Sequence, residues 1–153
     1  MHALELKIPP PLVMLLFGTA MWLVAREMPA LTFAFPFRTA IAAVFAMCGV
    51  AISATGFFAF RRAGTTVNPM QPEAASALVN TGIYRYTRNP MYLGLAVFLT
   101  GWAFFLANAA AAVLIPLFIA YMTRFQIVPE EIALTHKFGA AFTAYVRTVR
   151  RWL

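Results

Sequence analysis

Four apolar stretches separated by short polar segments dominate the chain and predict membrane-spanning helices. The second stretch is long enough to cross a hydrocarbon core of roughly 30 Å, whereas the other three are close to or below the usual lower limit. The third and fourth are separated by only Ala107 and Asn108, so we expect a tight antiparallel hairpin. The stretches cover residues 11–25, 39–60, 91–106 and 109–125.

A different pattern begins at Pro129. Apolar residues recur at three- and four-residue spacings to about residue 149, which predicts an amphipathic helix. Proline suits a first helical turn, and Glu130 and Glu131 complement the positive end of a helix dipole. We therefore predict an all-α membrane protein with about four transmembrane helices, a tight helical hairpin and a C-terminal amphipathic cytoplasmic helix. Residues 1–153 are expected to form a single integral membrane domain.

Composition supports a membrane environment. Apolar residues make up 62% of the chain and charged residues 11%, against about half and a quarter in soluble domains. The net charge of +7 is therefore attributed to membrane topology and anionic lipid, and not to nucleic acid. One cysteine and two histidines provide no Cys/His cluster for a metal.

Basic residues are unevenly distributed among the segments that join the apolar stretches. Of the twelve Lys and Arg residues, only Arg26 and Arg38 lie between the first and second stretches. The positive-inside rule therefore places both termini and residues 61–90 in the cytoplasm. We expect a multi-pass protein of a bacterial inner membrane with its active site on the cytoplasmic face.

Two polar clusters flank the predicted hairpin at this same end. In the first, Asn89 precedes Pro90 and is displaced from helical geometry, so Arg88 is expected in a turn. The free N–H groups that begin the third helix make this a suitable place for an anionic group. In the second, Glu130 and Glu131 point about 100° apart on a helix. One carboxylate can thus face the membrane domain, against Arg88 or a polar ligand, while the other faces water.

The order of these motifs resembles the isoprenylcysteine carboxyl methyltransferase family, which is related to the membrane phospholipid N-methyltransferases. The resemblance covers residues 77–152, roughly the C-terminal half. Its elements are Leu78-Val79 with Gly82 and Tyr84, the run Arg88-Asn89-Pro90-x-Tyr92-x-Gly94, a hairpin, Glu130-Glu131, and Phe138-Gly139 before Tyr145.

This resemblance implies S-adenosylmethionine as the methyl donor, bound at the cytoplasmic end of the hairpin. The carboxylate of its methionine part suits Arg88 and the helix N-terminus, and its ammonium and ribose hydroxyls suit Glu130. The family pattern assigns cofactor binding to Ser76, Ala77, Leu78, Val79, Tyr84, Arg88, Asn89, Pro90, Met91 and Glu130.

Two positions depart from the family pattern. Asn89 stands where the family usually has histidine, so this position does not titrate near neutral pH. Gln126 stands where enzymes acting on prenylcysteine carry an arginine, and the nearest arginine is Arg124. We assign Arg124 and Gln126 to positioning the polar end of the acceptor.

The sequence thus predicts a membrane-embedded, S-adenosylmethionine-dependent methyltransferase for a lipophilic acceptor. A carboxylate of isoprenylcysteine type is favoured, because it needs no general base and requires only alignment in a dry site. A phospholipid amine is the alternative acceptor. An NADPH-dependent membrane reductase and a non-catalytic membrane protein are alternatives of another class. The expected partners are a lipophilic or lipidated acceptor and membrane lipid, without nucleic acid.

Overall fold

The computed structural model describes residues 5–66 and 68–153, which form five helices and no strand. The all-helical prediction is therefore confirmed for the described part of the chain. Three short 3₁₀ turns lie in the connections, at Pro29–Leu31, Pro72–Ala74 and Gly82–Arg85. The helices are α1 (Pro10–Glu27), α2 (Arg38–Arg62), α3 (Pro90–Leu106), α4 (Ala109–Phe138) and α5 (Ala140–Thr148).

Two of these helices, α2 and α4, are long and apolar enough to cross a membrane, and α3 is a shorter apolar helix. Both α1 and α3 begin with proline in the first turn, where the missing N–H costs no helical hydrogen bond. The 30 residues of α4 rise about 45 Å, more than a hydrocarbon core of roughly 30 Å. The helix is therefore longer than a single crossing of the apolar layer requires.

Helix α4 continues through the point where the sequence predicted a new helix. At Thr123–Ile127 its hydrogen bonding widens to a π-helical turn, and α-helical geometry resumes over Val128–Phe138. Pro129 has no N–H to offer the carbonyl of Phe125, and that oxygen accepts the backbone N–H of Leu6 at 3.1 Å. A separate helix beginning at Pro129 was thus a wrong prediction, because the π turn and the Leu6 contact accommodate the proline.

The predicted amphipathic helix is also divided. Gly139 has φ = 53°, a conformation that glycine adopts without a steric penalty, and it separates the end of α4 from α5. The amphipathic character itself is present on α5, where Phe142 and Tyr145 are buried and the residues between them are exposed. The single helix to residue 149 is therefore corrected to two short helical segments joined at Gly139.

The tight hairpin between α3 and α4 is confirmed. Ala107 adopts a left-handed conformation (φ = 48°), and the buried Asn108 begins α4 by accepting the N–H of Ala111. The amide of Asn108 also donates to the carbonyl of Met28 and to the hydroxyl of Thr32, both at 2.9 Å. These bonds hold the hairpin turn and the α1–α2 connection at one end of the bundle.

Helices α2 and α3 approach each other closely, backbone against backbone. Gly49 and Gly94 face each other at their crossing, and Ser53 donates its hydroxyl to the carbonyl of Met91 at 3.0 Å. A β-carbon on Gly94 would collide with Ser53 Oγ and with the carbonyl oxygen of Gly49. Small residues at such a crossing allow two membrane helices to pack backbone against backbone.

We predict that Gly94→Ala lowers the thermal unfolding temperature of the detergent-solubilised protein. Forcing a methyl group into this crossing costs about 1–3 kcal/mol, because backbone atoms of α2 must move. Gly18→Ala is the matched control, since its β-carbon would meet Leu99 Cδ2 at an ordinary 3.7 Å. Equal unfolding temperatures for the two variants would contradict the close α2–α3 approach.

Candidate functional site

A polar cleft lies at the end of the bundle opposite the hairpin turn. It forms where the segment before α3 meets the last turns of α4 and the inner face of α5. Its lining includes eight positions expected to contact a cofactor: Ala77, Leu78, Val79, Tyr84, Arg88, Asn89, Met91 and Glu130. The other lining residues are Phe60, Ala75, Tyr92, Glu131, Leu134, Phe142 and Tyr145.

Local hydrogen bonds hold the 76–79 segment against the end of α2. Thr65 Oγ1 accepts the backbone N–H of Ser76 at 2.8 Å, and Ser76 Oγ donates to the carbonyl of Gly64 at 3.2 Å. Ser76 itself is exposed and outside the cleft lining, whereas the following residues turn inward and Val79 is buried. Ser76 therefore anchors the segment whose next three residues form a wall of the cleft.

Arg88 is the cation at the floor of the cleft, and its side chain is only 9% exposed. Its backbone N–H donates to the carbonyl of Arg150 at 3.0 Å, and its Nη2 lies 3.1 Å from Oε1 of Glu131. Its Nε and Nη1 atoms are buried and have no hydrogen-bond partner among residues 5–66 and 68–153. Buried charged donors without partners are costly, so the free N–H groups of this guanidinium suit an anionic ligand.

Glu131 is the carboxylate that pairs with Arg88. It also accepts two hydrogen bonds from Arg151, from Nε at 3.0 Å and from Nη2 at 2.6 Å. These bonds raise the pKa of the Arg151 guanidinium above its usual value. Glu131 therefore faces two arginines and not simply water, which corrects the expectation that one of the two glutamates would be solvated.

Glu130 has neutral partners only. Its Oε1 accepts hydrogen bonds from the phenol of Tyr92 and from Nε2 of Gln126, the latter at 2.9 Å. Gln126 is buried, and its Nε2 also lies 3.0 Å from the carbonyl of Pro69. Glu130 forms no ion pair within the described part of the chain. Gln126 thus holds a cleft carboxylate in place.

Two ionisable groups of the cleft have hydrogen-bonding capacity left for a ligand. Arg88 presents free N–H donors, and Glu130 presents a carboxyl group without a cationic partner among the described residues. A ligand part that carries both a carboxylate and an ammonium group would satisfy both, as an amino-acid moiety does.

Two tyrosines complete the wall between α5 and the segment before α3. The phenol of Tyr145 donates to the carbonyl of Tyr84 at 2.7 Å. Burial raises the pKa of Tyr145 to about 12, although the charge of Arg88 acts in the opposite direction. Burial raises the pKa of Tyr84 as well, reinforced by Tyr145 and Glu130. Both phenols are neutral near pH 7, and Phe60 packs edge-on against Tyr84 with ring centroids 5.3 Å apart.

An apolar groove adjoins the cleft on its membrane side. It runs between α1, α2 and α3, with a volume of about 550 Å³ against about 90 Å³ for the cleft. Met91 and Tyr92 line both, so the two spaces meet at the first turn of α3. Val50, Phe57, Phe98 and Leu95 are among the side chains that form its walls. The groove accommodates a hydrocarbon chain better than a polar molecule.

Some residues predicted for the site lie elsewhere. Arg124 is exposed, pairs with Glu5 at 2.9 Å and lies 5.4 Å from the centre of the Phe125 ring, so it borders neither the cleft nor the groove. Pro90 is buried beneath the cleft against α2, next to Gly56. Asn89 borders the cleft, but its amide donates to the carbonyl of Arg151 at 2.9 Å. This bond joins Asn89 to the C-terminal segment.

Sequence reasoning missed several residues of the site. No role in the site is predicted for Tyr92 from the sequence, yet its phenol donates a hydrogen bond to Glu130. The four-residue spacing of Gln126 and Glu130 places both on one helix face and could have indicated their contact. Arg151 also bonds Glu131, and no local pattern links these two residues.

Comparison with known proteins gives one family and one relative. The family model described as phospholipid methyltransferase matches residues 37–141. An uncharacterized protein of Haemophilus influenzae is 41% identical over 63 residues, which are 41% of this chain and 100% of that relative. No solved structure matches the chain. The matched family includes the isoprenylcysteine carboxyl methyltransferases, so the resemblance seen in the sequence is confirmed at the level of the family.

Proposed function

Because this chain belongs to the phospholipid methyltransferase family, we propose that it transfers a methyl group from S-adenosylmethionine to a lipophilic acceptor. Family membership implies methyltransferase activity and a methyl donor of this kind, and two long apolar helices point to a membrane protein. The observation that carries the proposal is the junction of a charged cleft with an apolar groove at Met91 and Tyr92.

The donor set of the cleft fits the cofactor. Arg88 would hold the carboxylate of its methionine part through an N–H group that has no partner among the described residues, and Glu130 would hold the ammonium group. Ala77, Leu78, Val79 and Phe142 form an apolar part of the lining for the remainder. When bound, S-adenosylmethionine supplies a sulfonium-linked methyl group that a nucleophile can displace in line.

The protein's own contribution is alignment and exclusion of water. Tyr92 is buried and fixed by its hydrogen bond to Glu130, so its position at the junction is well defined. The groove would hold the apolar part of an acceptor between α2 and α3 while its polar end reaches the first turn of α3. Fixing two reactants in this way can contribute about 7–11 kcal/mol to lowering the barrier.

The charges at the junction favour an amine over a carboxylate as the acceptor. Arg88 is the one cation among the described residues that line the cleft or the groove, and the cofactor carboxylate would use it. Arg124, which was expected to position an acid, pairs with Glu5 outside both spaces. No cation among the described lining residues is then left to hold the carboxylate of an acid acceptor. A phospholipid amine is therefore the first candidate, and an isoprenylcysteine-type carboxylate the second.

The proposed arrangement in the membrane has four spans, formed by α1 to α4, with both termini and the cleft in the cytoplasm. It rests on the Lys/Arg asymmetry of the loops and on the bonds of Asn108 to Met28 and Thr32. These bonds put the two connections that are poorest in positive charge at one end. The cleft, with the arginine-rich segments, lies at the other end.

Cysteine accessibility in a Cys48→Ala background tests this orientation. A cysteine at Ala109, which is exposed in the hairpin turn, should react with a membrane-impermeant maleimide only from the outside of intact cells. A cysteine at Gly64, exposed at the end of α2, should react only after the membrane is opened. The opposite pattern would contradict the proposed orientation.

Calorimetry with S-adenosylmethionine tests the cofactor assignment. Arg88→Ala and Glu130→Gln should each weaken binding by about 2 kcal/mol, because each leaves a charged group of the ligand unpaired. The matched controls are Arg85→Ala and Glu73→Gln, whose side chains are exposed and outside the cleft. Near-wild-type affinity in both cleft variants would remove the two residues from the cofactor site.

The pH dependence of methyl transfer distinguishes the two acceptors. An amine reacts only as the neutral base, so its initial rate should rise up to about tenfold per pH unit below an amine pKa near 10. A carboxylic acid is ionised above about pH 5 and should give a flat profile. The measurement uses vesicles of phosphatidylethanolamine and, separately, long-chain thioether acids. Transfer to the acids alone, with a flat profile, would establish the second candidate in place of the first.

A further inference from the structure

Three charged groups lie at the floor of the cleft, and two of them are positive while one is negative. Arg88 and Arg151 share Glu131, so two guanidinium groups face one carboxylate. Arg151 makes the fuller contact, with hydrogen bonds to both carboxylate oxygens, while Arg88 makes one ion-pair contact through Nη2. The remaining Arg88 nitrogens are buried without partners among the described residues. The charge of Arg88 is therefore only partly compensated within the protein.

Backbone and side-chain hydrogen bonds hold residues 150–152 beside the cleft. The carbonyl of Arg150 accepts the backbone N–H of Arg88 at 3.0 Å, and the carbonyl of Arg151 accepts the amide of Asn89 at 2.9 Å. Trp152 donates its indole N–H to the hydroxyl of Thr123 at 3.1 Å. These contacts fix the position of the Arg151 side chain over Glu131, between the start of α3 and the end of α4.

We propose that Arg151 is a positioning residue of the cofactor site: by neutralising Glu131 it leaves the positive charge of Arg88 available to the carboxylate of the ligand. The inference rests on the proposed function. Without Arg151, the full charge of Glu131 would act on Arg88, and a second carboxylate would bind to an arginine that is already paired. Asn89 then contributes to the same arrangement, because its amide donates a hydrogen bond to the backbone carbonyl of Arg151.

The test measures binding of S-adenosylmethionine to the full-length protein in detergent. Arg151→Ala should weaken it about tenfold, the scale of one lost charge-assisted interaction. Binding of decarboxylated S-adenosylmethionine, which lacks the group that Arg88 would hold, should change little. Arg147→Ala is the matched control, because Arg147 is an exposed arginine at the end of α5 outside the cleft.

A second substitution separates charge from geometry. Glu131→Gln introduced into the Arg151→Ala variant removes the negative charge but keeps a hydrogen-bond acceptor for Arg88, so the affinity should return to within about threefold of the wild type. A tail segment displaced by Arg151→Ala would not be restored by this change. Arg151→Lys keeps the charge and should retain most of the affinity, which provides a test should the alanine variant fail to fold.

Two results would overturn the inference alone: wild-type affinity in Arg151→Ala, or a double variant that binds as weakly as the single one. Equal losses for S-adenosylmethionine and its decarboxylated analogue would also overturn it, since Arg151 would then act on the fold and not on the carboxylate site. A wild-type protein that binds no S-adenosylmethionine would instead overturn the proposed function, and this inference with it.

Discussion

Burial of the Arg88 guanidinium at the end of an apolar helical bundle is the constraint on which the site depends. A buried cation needs both an opposite charge and hydrogen bonds, and Glu131 provides the opposite charge. Glu131 reaches Arg88 because α4 continues past Pro129 to Phe138. The π turn inserts one residue before Pro129, which rotates the following residues by about 100°. Both glutamates consequently face inward, one toward Arg88 and one toward Tyr92.

The backbone contact between α2 and α3 determines where the cleft lies relative to the apolar groove. Gly49 and Gly94 let the two helices touch, and Ser53 fixes the first turn of α3 by its bond to the carbonyl of Met91. That turn carries Tyr92, which borders the cleft and the groove alike. A polar ligand in the cleft and an apolar ligand in the groove can therefore both contact Tyr92. Neither ligand has to pass through the other's binding space.

The features that the sequence predicted are local ones. Pro90 predicts both the start of α3 and the turn at Arg88, and the pair Ala107-Asn108 predicts the hairpin, because each depends on a few adjacent residues. The features that it missed join distant segments. The contact of Leu6 with Phe125 and that of Arg151 with Glu131 depend on packing of the whole bundle. Arg124 lies close to Glu130 in sequence, but its side chain pairs with Glu5.

The central claim is that an acceptor in the apolar groove receives a methyl group from a cofactor in the cleft. Val50→Trp tests it most directly, because Val50 is exposed on α2 and lines the groove, whereas Val44 is equally exposed on the same helix and does not. Purified protein is incubated with a bacterial lipid extract and methyl-labelled S-adenosylmethionine. The account predicts that Val50→Trp sharply reduces label in the lipid fraction with cofactor affinity unchanged, while Val44→Trp behaves as the wild type. Undiminished lipid labelling by Val50→Trp would contradict it.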